Sequence, residues 1–260
     1  MRRYQLFEFE DLPYFPKKIR NYGTDFLQFV ANQFNFYEGL IPILQKGIQK
    51  SGRHQIIDLA SGGGGGWKSI IPQLQKVESD FQIRLTDLYP NFAAFKKQQA
   101  QFPEVLHFEN QTVSALNVPS NLKGLRTMFL SFHHFNEKNA VQILQNAVEE
   151  QQAILIVEAQ ERNLLNLIKF FFSPINVLLT TPFIRPFSIG RILFTYLIPI
   201  VPFFVWWDGM VSVLRTYSLR EMKEMTETLQ NSCSFEWEIK KIKSGPVEIL
   251  YLLGTPKSRQ

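Results

Sequence analysis

Two carboxylates, Asp58 and Asp87, stand 29 positions apart, and the first of them opens the run DLASGGGGGWKS. Residues of these types can hold one of three ligands. A nucleotide phosphate needs G-x-x-x-x-G-K-[ST], and counting from Gly62 the last glycine of that pattern falls on Trp67, which would crowd the turn. A dinucleotide needs G-x-G-x-x-G, and counting from Gly62 or Gly63 the third glycine falls on Trp67 or Lys68. The third ligand, S-adenosylmethionine, asks for less. Small residues at alternate positions, Ala60, Gly62 and Gly64, let the backbone come close to its methionine part and ribose, and Asp58 can take its ammonium group directly or through water. Asp87, in LTDLYP, can accept both ribose hydroxyls or simply cap the turn that follows it. Lys68 then reads as a solvated residue in the first turn of a helix.

Further along, His133 and His134 follow the apolar run LRTMFLSF, and Glu158 closes QAILIVEA. An imidazole titrating near neutral pH can take a proton from an oxygen or nitrogen acceptor, although a packed histidine and a backbone-bonded one would look the same in sequence. Glu158 can bind a substrate hydroxyl or amine, or pair with Arg162. Trp207, Asp208, Arg215 and Tyr217 form a polar and aromatic group that either orients a substrate or docks the preceding tract. No further ligand at metal spacing accompanies the histidines, so no metal is expected.

Positioning these residues requires strands that end beside them. HQIIDLA (54–60), FQIRLTD (81–87), EVLHFE (104–109), LRTMFLSF (125–132) and QAILIVEA (152–159) read as five strands, with helical WKSIIPQLQKV and EKNAVQILQNAVEE between them. Such alternation predicts an α/β, mostly parallel, doubly wound sheet that binds ligands at the carboxyl ends of its strands. SFEWEIKKIK (234–243) and PVEILYLLGT (246–255) predict a terminal hairpin across Ser244 and Gly245.

DLASGGGG, LTDLYP, the FLSFHHF strand end and the closing hairpin together resemble a class I S-adenosylmethionine-dependent methyltransferase. WDGMVSVLRTYS (207–218) and FEFEDLPYFP are similar to uncharacterised bacterial members of that family. The resemblance implies a Rossmann-like sheet of seven strands in the order 3-2-1-4-5-7-6, with an antiparallel terminal strand. It also implies that Asp58, Ala60, Ser61, Gly62 and Gly64 hold the amino-acid end of the cofactor and Asp87 and Leu88 its ribose. The family often has an acid beside the adenine; Ser114 stands there in this chain, so adenine contact falls to Ser114 and Ala115.

The chain has 260 residues, 45% of them hydrophobic, which suits one domain with a 1–50 helical lid and a 160–230 apolar helical insertion between strands 5 and 6. Its 28 basic and 23 acidic residues are scattered, so nucleic acid is not an expected partner. One cysteine, Cys233, and no apolar run behind Arg2 and Arg3 point to the cytoplasm. The longest uncharged part of the insertion, Ile192 to Trp207, is 16 residues and contains Pro199 and Pro202, which is short for a membrane span. Buried helices, an apolar lid and an interfacial segment peripheral to a membrane remain open for it. Its Phe, Leu and Ile content favours a small apolar or amphipathic acceptor. Two other readings remain: a noncatalytic or membrane-peripheral binding protein on the same scaffold, and a nucleotide-hydrolysing phosphate loop.

Overall fold

In the computed structural model, which describes residues 1–257, the chain divides into two compact units, Met1–Phe34 with Gln160–Tyr217 and Asn35–Ala159 with Ser218–Gln260. The sequence reading expected one domain carrying a lid and an insertion. The first 34 residues fold with the apolar tract, while residues 35–50 of the expected lid and residues 218–230 of the expected insertion belong to the sheet unit.

The sheet unit is built on seven strands: β1 (Gln55–Asp58), β2 (Gln82–Leu85), β3 (Leu106–Phe108), β4 (Leu125–Phe129), β5 (Ile154–Glu158), β6 (Phe235–Ser244) and β7 (Val247–Pro256). Their order is β3-β2-β1-β4-β5-β7-β6, the order the resemblance implied. The first five strands are parallel, and β7 runs antiparallel to both β5 and β6. β5, ILIVE, is buried at every position, as a central parallel strand covered on both faces must be. The hairpin register pairs Ser244 with Val247, so Gly245 and Pro246 make the turn, one residue later than the sequence reading placed it.

With α1 reserved for the helical unit (Lys17–Gln33), the helices of the sheet unit are α2 (Ile41–Ser51), α3 (Trp67–Leu74), α4 (Phe92–Gln99) and α5 (Glu137–Glu149); a last one, α10 (Leu219–Thr228), precedes β6. α5 starts where the Asn136 side chain accepts from the Asn139 amide, and it buries Ala140, Ile143, Leu144, Ala147 and Val148 on one stripe. α10 opens with a reciprocal Ser218 and Glu221 capping box. Gly47 lets α2 approach β4 closely, since a Cβ there would lie 2.9 Å from Leu125 Cδ2.

The helical unit contains α1, α6 (Leu164–Phe171), α7 (Ser173–Thr180), α8 (Ile189–Ile192) and α9 (Ile200–Arg215). Its core joins Ile19 and Phe26 of α1 to Val177, Ile184, Val201, Phe204 and Val205. α1 and α9 meet at Gly23, where a Cβ would sit 2.1 Å from the Phe204 ring. The buried Arg191 guanidinium pairs with Asp25 at 2.6 Å and donates to the carbonyls of Ile184 and Pro186. Leu164–Phe183 is one helical run of 20 residues, apolar enough to cross a membrane by length and composition; the run from Ile189 to Arg215 is bent by 76°. Of the three readings open for this tract, buried helices do not describe much of it, since many of its larger apolar side chains are exposed.

Gly124 starts β4 at φ +147°, where a Cβ would meet the Gln55 carbonyl oxygen at 2.1 Å. Gly52, at the C-terminus of α2, has φ +63° and open space around the same position. Gly124→Ala is therefore expected to cost at least about 2 kcal/mol in urea denaturation, and Gly52→Ala only about 1 kcal/mol, the intrinsic cost of the left-handed region. Equal effects would show that the close approach at β4 relaxes freely.

Candidate active site

β1 delivers Asp58 to the carboxyl edge of the sheet, where it is almost fully buried. The Thr127 hydroxyl on neighbouring β4 donates to its Oδ1 at 2.7 Å. Burial pushes the Asp58 carboxyl up to about 6; the hydroxyls of Ser61 and Thr127 and the Trp67 indole N–H oppose that rise, and the charge of Asp87 adds to it. The indole N–H lies close to the carboxylate but outside hydrogen-bond geometry.

Beyond Asp58 the chain turns through Ala60 (φ +51°), Gly62 (φ +55°), Gly64 (φ +89°) and Gly65 (φ +55°) before α3 begins at Trp67. The turn is pinned to β2: the Ser61 amide donates to the Thr86 carbonyl at 3.0 Å, and the Thr86 amide to that of Asp58 at 2.9 Å. Gly62 and Gly65 have open space where a Cβ would be. Gly64 does not, because the Gln98 side chain lies 2.2 Å from that position and its Nε2 donates to the Gly63 carbonyl. Trp67 is fully buried and packs edge-on against Phe129, with centroids 5.2 Å apart, leaving the space at Gly62 clear. Lys68 is exposed.

Asp87 follows β2 and works in two directions. Its Oδ2 accepts from the Gly62 amide at 2.7 Å, and its Oδ1 caps the next turn by accepting from the Tyr89 amide at 2.7 Å. Each oxygen retains acceptor capacity toward hydroxyls. Leu88 beside it is exposed. The Asp87 carbonyl accepts from Val113 at 2.9 Å, which draws Ser114 and Ala115 to the same end of the sheet; Ala115 is buried, and Ser114 Oγ accepts from the Leu116 amide.

At the ends of β4 and β5 the structure joins His133 to Glu158. Both are buried; Nδ1 lies 2.9 Å from Glu158 Oε2 and 3.1 Å from Oε1, and the His133 amide donates to Oε1 at 2.9 Å. A carboxylate in this position orients the imidazole through Nδ1. The His134 ring lies 4.4 Å from that of His133. At the same strand end the buried Ser131 hydroxyl has no hydrogen-bond partner among the described residues.

Sequence reasoning missed Tyr37 and Gln98. Tyr37 is buried, stands edge-on to Phe129 at 5.7 Å, and would lie 2.1 Å from a Cβ on Gly66. Burial, then the charges of Asp58 and Glu158, raise its phenol well above the usual tyrosine range. No local pattern marks FNFYEGL, and the requirement for glycine at position 66 is the only sequence trace of that ring.

Trp207, Asp208, Arg215 and Tyr217 lie in the helical unit, where all four hold the first eleven residues. Trp207 Nε1 donates to the Phe7 carbonyl at 3.0 Å, and the Asp208 oxygens accept from the Phe9 and Glu10 amides at 2.7 and 3.0 Å. Arg215 donates to the Leu6 carbonyl and pairs with Glu8 and Asp11, while Arg3 stacks over Tyr217 at 3.9 Å. Burial pushes Asp208 up to about 6 against those amide bonds.

Strand order, the antiparallel β7 and the glycine turn between two acids define the class I methyltransferase fold. The structure is similar to that of the pyocyanin biosynthetic protein PhzM, with TM-score 0.51 and 13% identity over 87% of this chain and 56% of that one. It is similar also to human N-acetylserotonin methyltransferase in complex with SAM, with TM-score 0.52 and 13% identity over 92% of this chain and 57% of that one. The chain thus spans little more than half the length of these two structures. No family model and no curated protein matches the sequence.

The raised carboxyl of Asp58 gives a signed prediction. Its folded-state value of about 6 lies above the ordinary 3.8, so the folded chain holds that proton more tightly and loses stability as pH rises through this window. Asp58→Asn keeps an oxygen for Thr127 and is expected to be more stable than the parent above pH 6, by up to about 3 kcal/mol, with the gap closing near pH 4. Urea denaturation at both pH values checks this; a pH-independent gap would contradict it.

Proposed function

We propose that the chain is an S-adenosylmethionine-dependent methyltransferase whose acceptor is a small apolar or amphipathic molecule carrying a hydroxyl. The observation that carries this reading is the glycine turn held between two acids. Asp58 is buried at one side, Asp87 is tied to the Gly62 amide at the other, and the backbone between them is open at Gly62 and Gly65.

These residues fit the cofactor. Asp58, ionised above pH 6, suits an ammonium group, and burial makes that pairing count. The bare backbone at Gly62 admits the amino-acid end; Asp87 accepts ribose hydroxyls; Ser114 and Ala115 line the position for adenine. When bound, S-adenosylmethionine supplies an electrophilic methyl group on a sulfonium. The protein's own task is then to align an acceptor, exclude water and take its proton. His133 Nε2 is the base in this reading, with Glu158 holding the opposite nitrogen and stabilising the imidazolium that forms. The likeness to an N-acetylserotonin methyltransferase fold and the apolar composition of the tract support an acceptor of this class. We place the activity on the cytoplasmic side.

Titration calorimetry with S-adenosylhomocysteine is expected to show micromolar binding, weakened in Asp87→Ala by roughly 1.5 to 3 kcal/mol. Affinity should also fall as pH is lowered through about 6, where Asp58 takes up its proton. Equal binding by both proteins would remove Asp87 from the site, and absence of binding by the parent would refute the cofactor.

His133→Asn is expected to leave that binding intact while lowering single-turnover methylation of any hydroxyl acceptor by about a hundredfold or more. Full activity in this variant would exclude the dyad as the base.

A further inference from the structure

We infer that the helical unit docks on a lipid bilayer, resting the apolar face of α6 to α8 in the interfacial layer without crossing it. The first observation is that, outside the small apolar core shared with α1, this tract buries hydroxyls. Along α7 the buried positions are Ser173, Val177 and then Thr181, spaced four apart, and the buried Thr195 lies in the π-helical turn Leu193–Leu197. The Ser173 and Thr195 hydroxyls are buried without a hydrogen-bond partner among the described residues.

The large side chains point the other way. Leu164 is 67% exposed, Leu179 65%, Phe183 67%, Ile189 78% and Leu197 74%, and Phe187 lies among them in sequence. A helix surrounded by water has the opposite distribution, with apolar residues in and hydroxyls out. Large apolar side chains exposed in this number along one tract mark a surface covered by something apolar.

Charge identifies the cover. From Arg162 to Trp207 the chain has no acidic residue, and the exposed charges of that stretch are Lys169 and Arg185. An apolar tract whose own exposed charges are cations is complementary to anionic headgroups above hydrocarbon. A second copy of the chain would bring the same cations against themselves, without an acid on the tract to meet them.

The unit lies on the bilayer rather than through it, because α1 shares its core. Ile19 and Phe26 pack with Val177, Val201 and Phe204, whereas Lys17, Lys18, Asn21 and Gln33 of the same helix are exposed. A membrane-crossing arrangement of α7 and α9 would carry that polar face into hydrocarbon. The inference is independent of the methyl-transfer reading, since it uses no residue of the glycine turn or the His133–Glu158 pair.

Flotation of the full chain with vesicles of phosphatidylcholine, alone and with phosphatidylglycerol, tests it. The parent is expected to stay soluble without detergent and to float with both, more strongly and with salt sensitivity on the anionic ones. Leu179→Glu with Ile189→Glu and Leu197→Glu should lower the bound fraction at least tenfold while leaving S-adenosylhomocysteine binding and thermal unfolding unchanged. Lys169→Glu with Arg185→Glu should remove only the preference for anionic vesicles. Failure to float, or flotation unaffected by the three glutamates, would overturn the proposal. So would a dimer that the same glutamates dissociate without vesicle binding, or a parent chain insoluble except in detergent, the behaviour of a span.

Discussion

Putting a carboxylate at the end of a central parallel strand is costly, and the local architecture of the sheet unit is organised around that cost. Asp58 is buried with one hydroxyl donor from β4, and its carboxyl is pushed up to about 6. Neighbours at the same strand end carry related features. The turn that follows is tied to β2 through Ser61 and Thr86, the Trp67 indole faces the acid, and the buried Tyr37 phenol is raised by burial and by the charges of Asp58 and Glu158. A buried acid retained in this way stores free energy that a cation can release, and a ligand with an ammonium group supplies one.

The two acids of the turn divide the work by environment. Asp58 is dry and has a displaced proton affinity; Asp87 is partly exposed and spends one hydrogen bond on Gly62 and one on Tyr89. The first suits a charged group and the second suits hydroxyls. On the other side of β1, β4 and β5 contribute a buried imidazole and carboxylate already in contact, which requires no ligand to assemble it. Because all of these residues sit at carboxyl ends of parallel strands, a single register error of one residue in β1 or β5 would turn the acid to the opposite face.

Much of this was legible in the sequence, and the reasons are local. Strand β5 announces itself as ILIVE, α5 by its apolar spacing, and the glycine turn by the absence of side chains between two acids. Tyr37 was not legible, since its role comes from a ring resting on Gly66, 29 positions later, and nothing in FNFYEGL signals it. Gln98 was hidden for the same reason. The partition of the chain was also hidden: the first 34 residues join the tract after residue 159 through contacts such as Asp208 with the Phe9 and Glu10 amides, which no pattern in either segment encodes. Composition left residues 164 to 207 open between buried helices, a lid and an interfacial segment, because composition carries no direction; the structure turns many of their larger side chains outward.

The central claim is that Asp58 is a buried, proton-retaining carboxylate which a cationic nucleoside ligand ionises. The direct measurement is a carbon-13 NMR titration of its carboxyl, assigned with Asp58→Asn, without and with saturating S-adenosylhomocysteine. The account predicts a midpoint at about 6 in the free protein, moving lower when the ligand is bound. A free-protein midpoint at the ordinary 3.8, or one that the ligand leaves where it was, would contradict it.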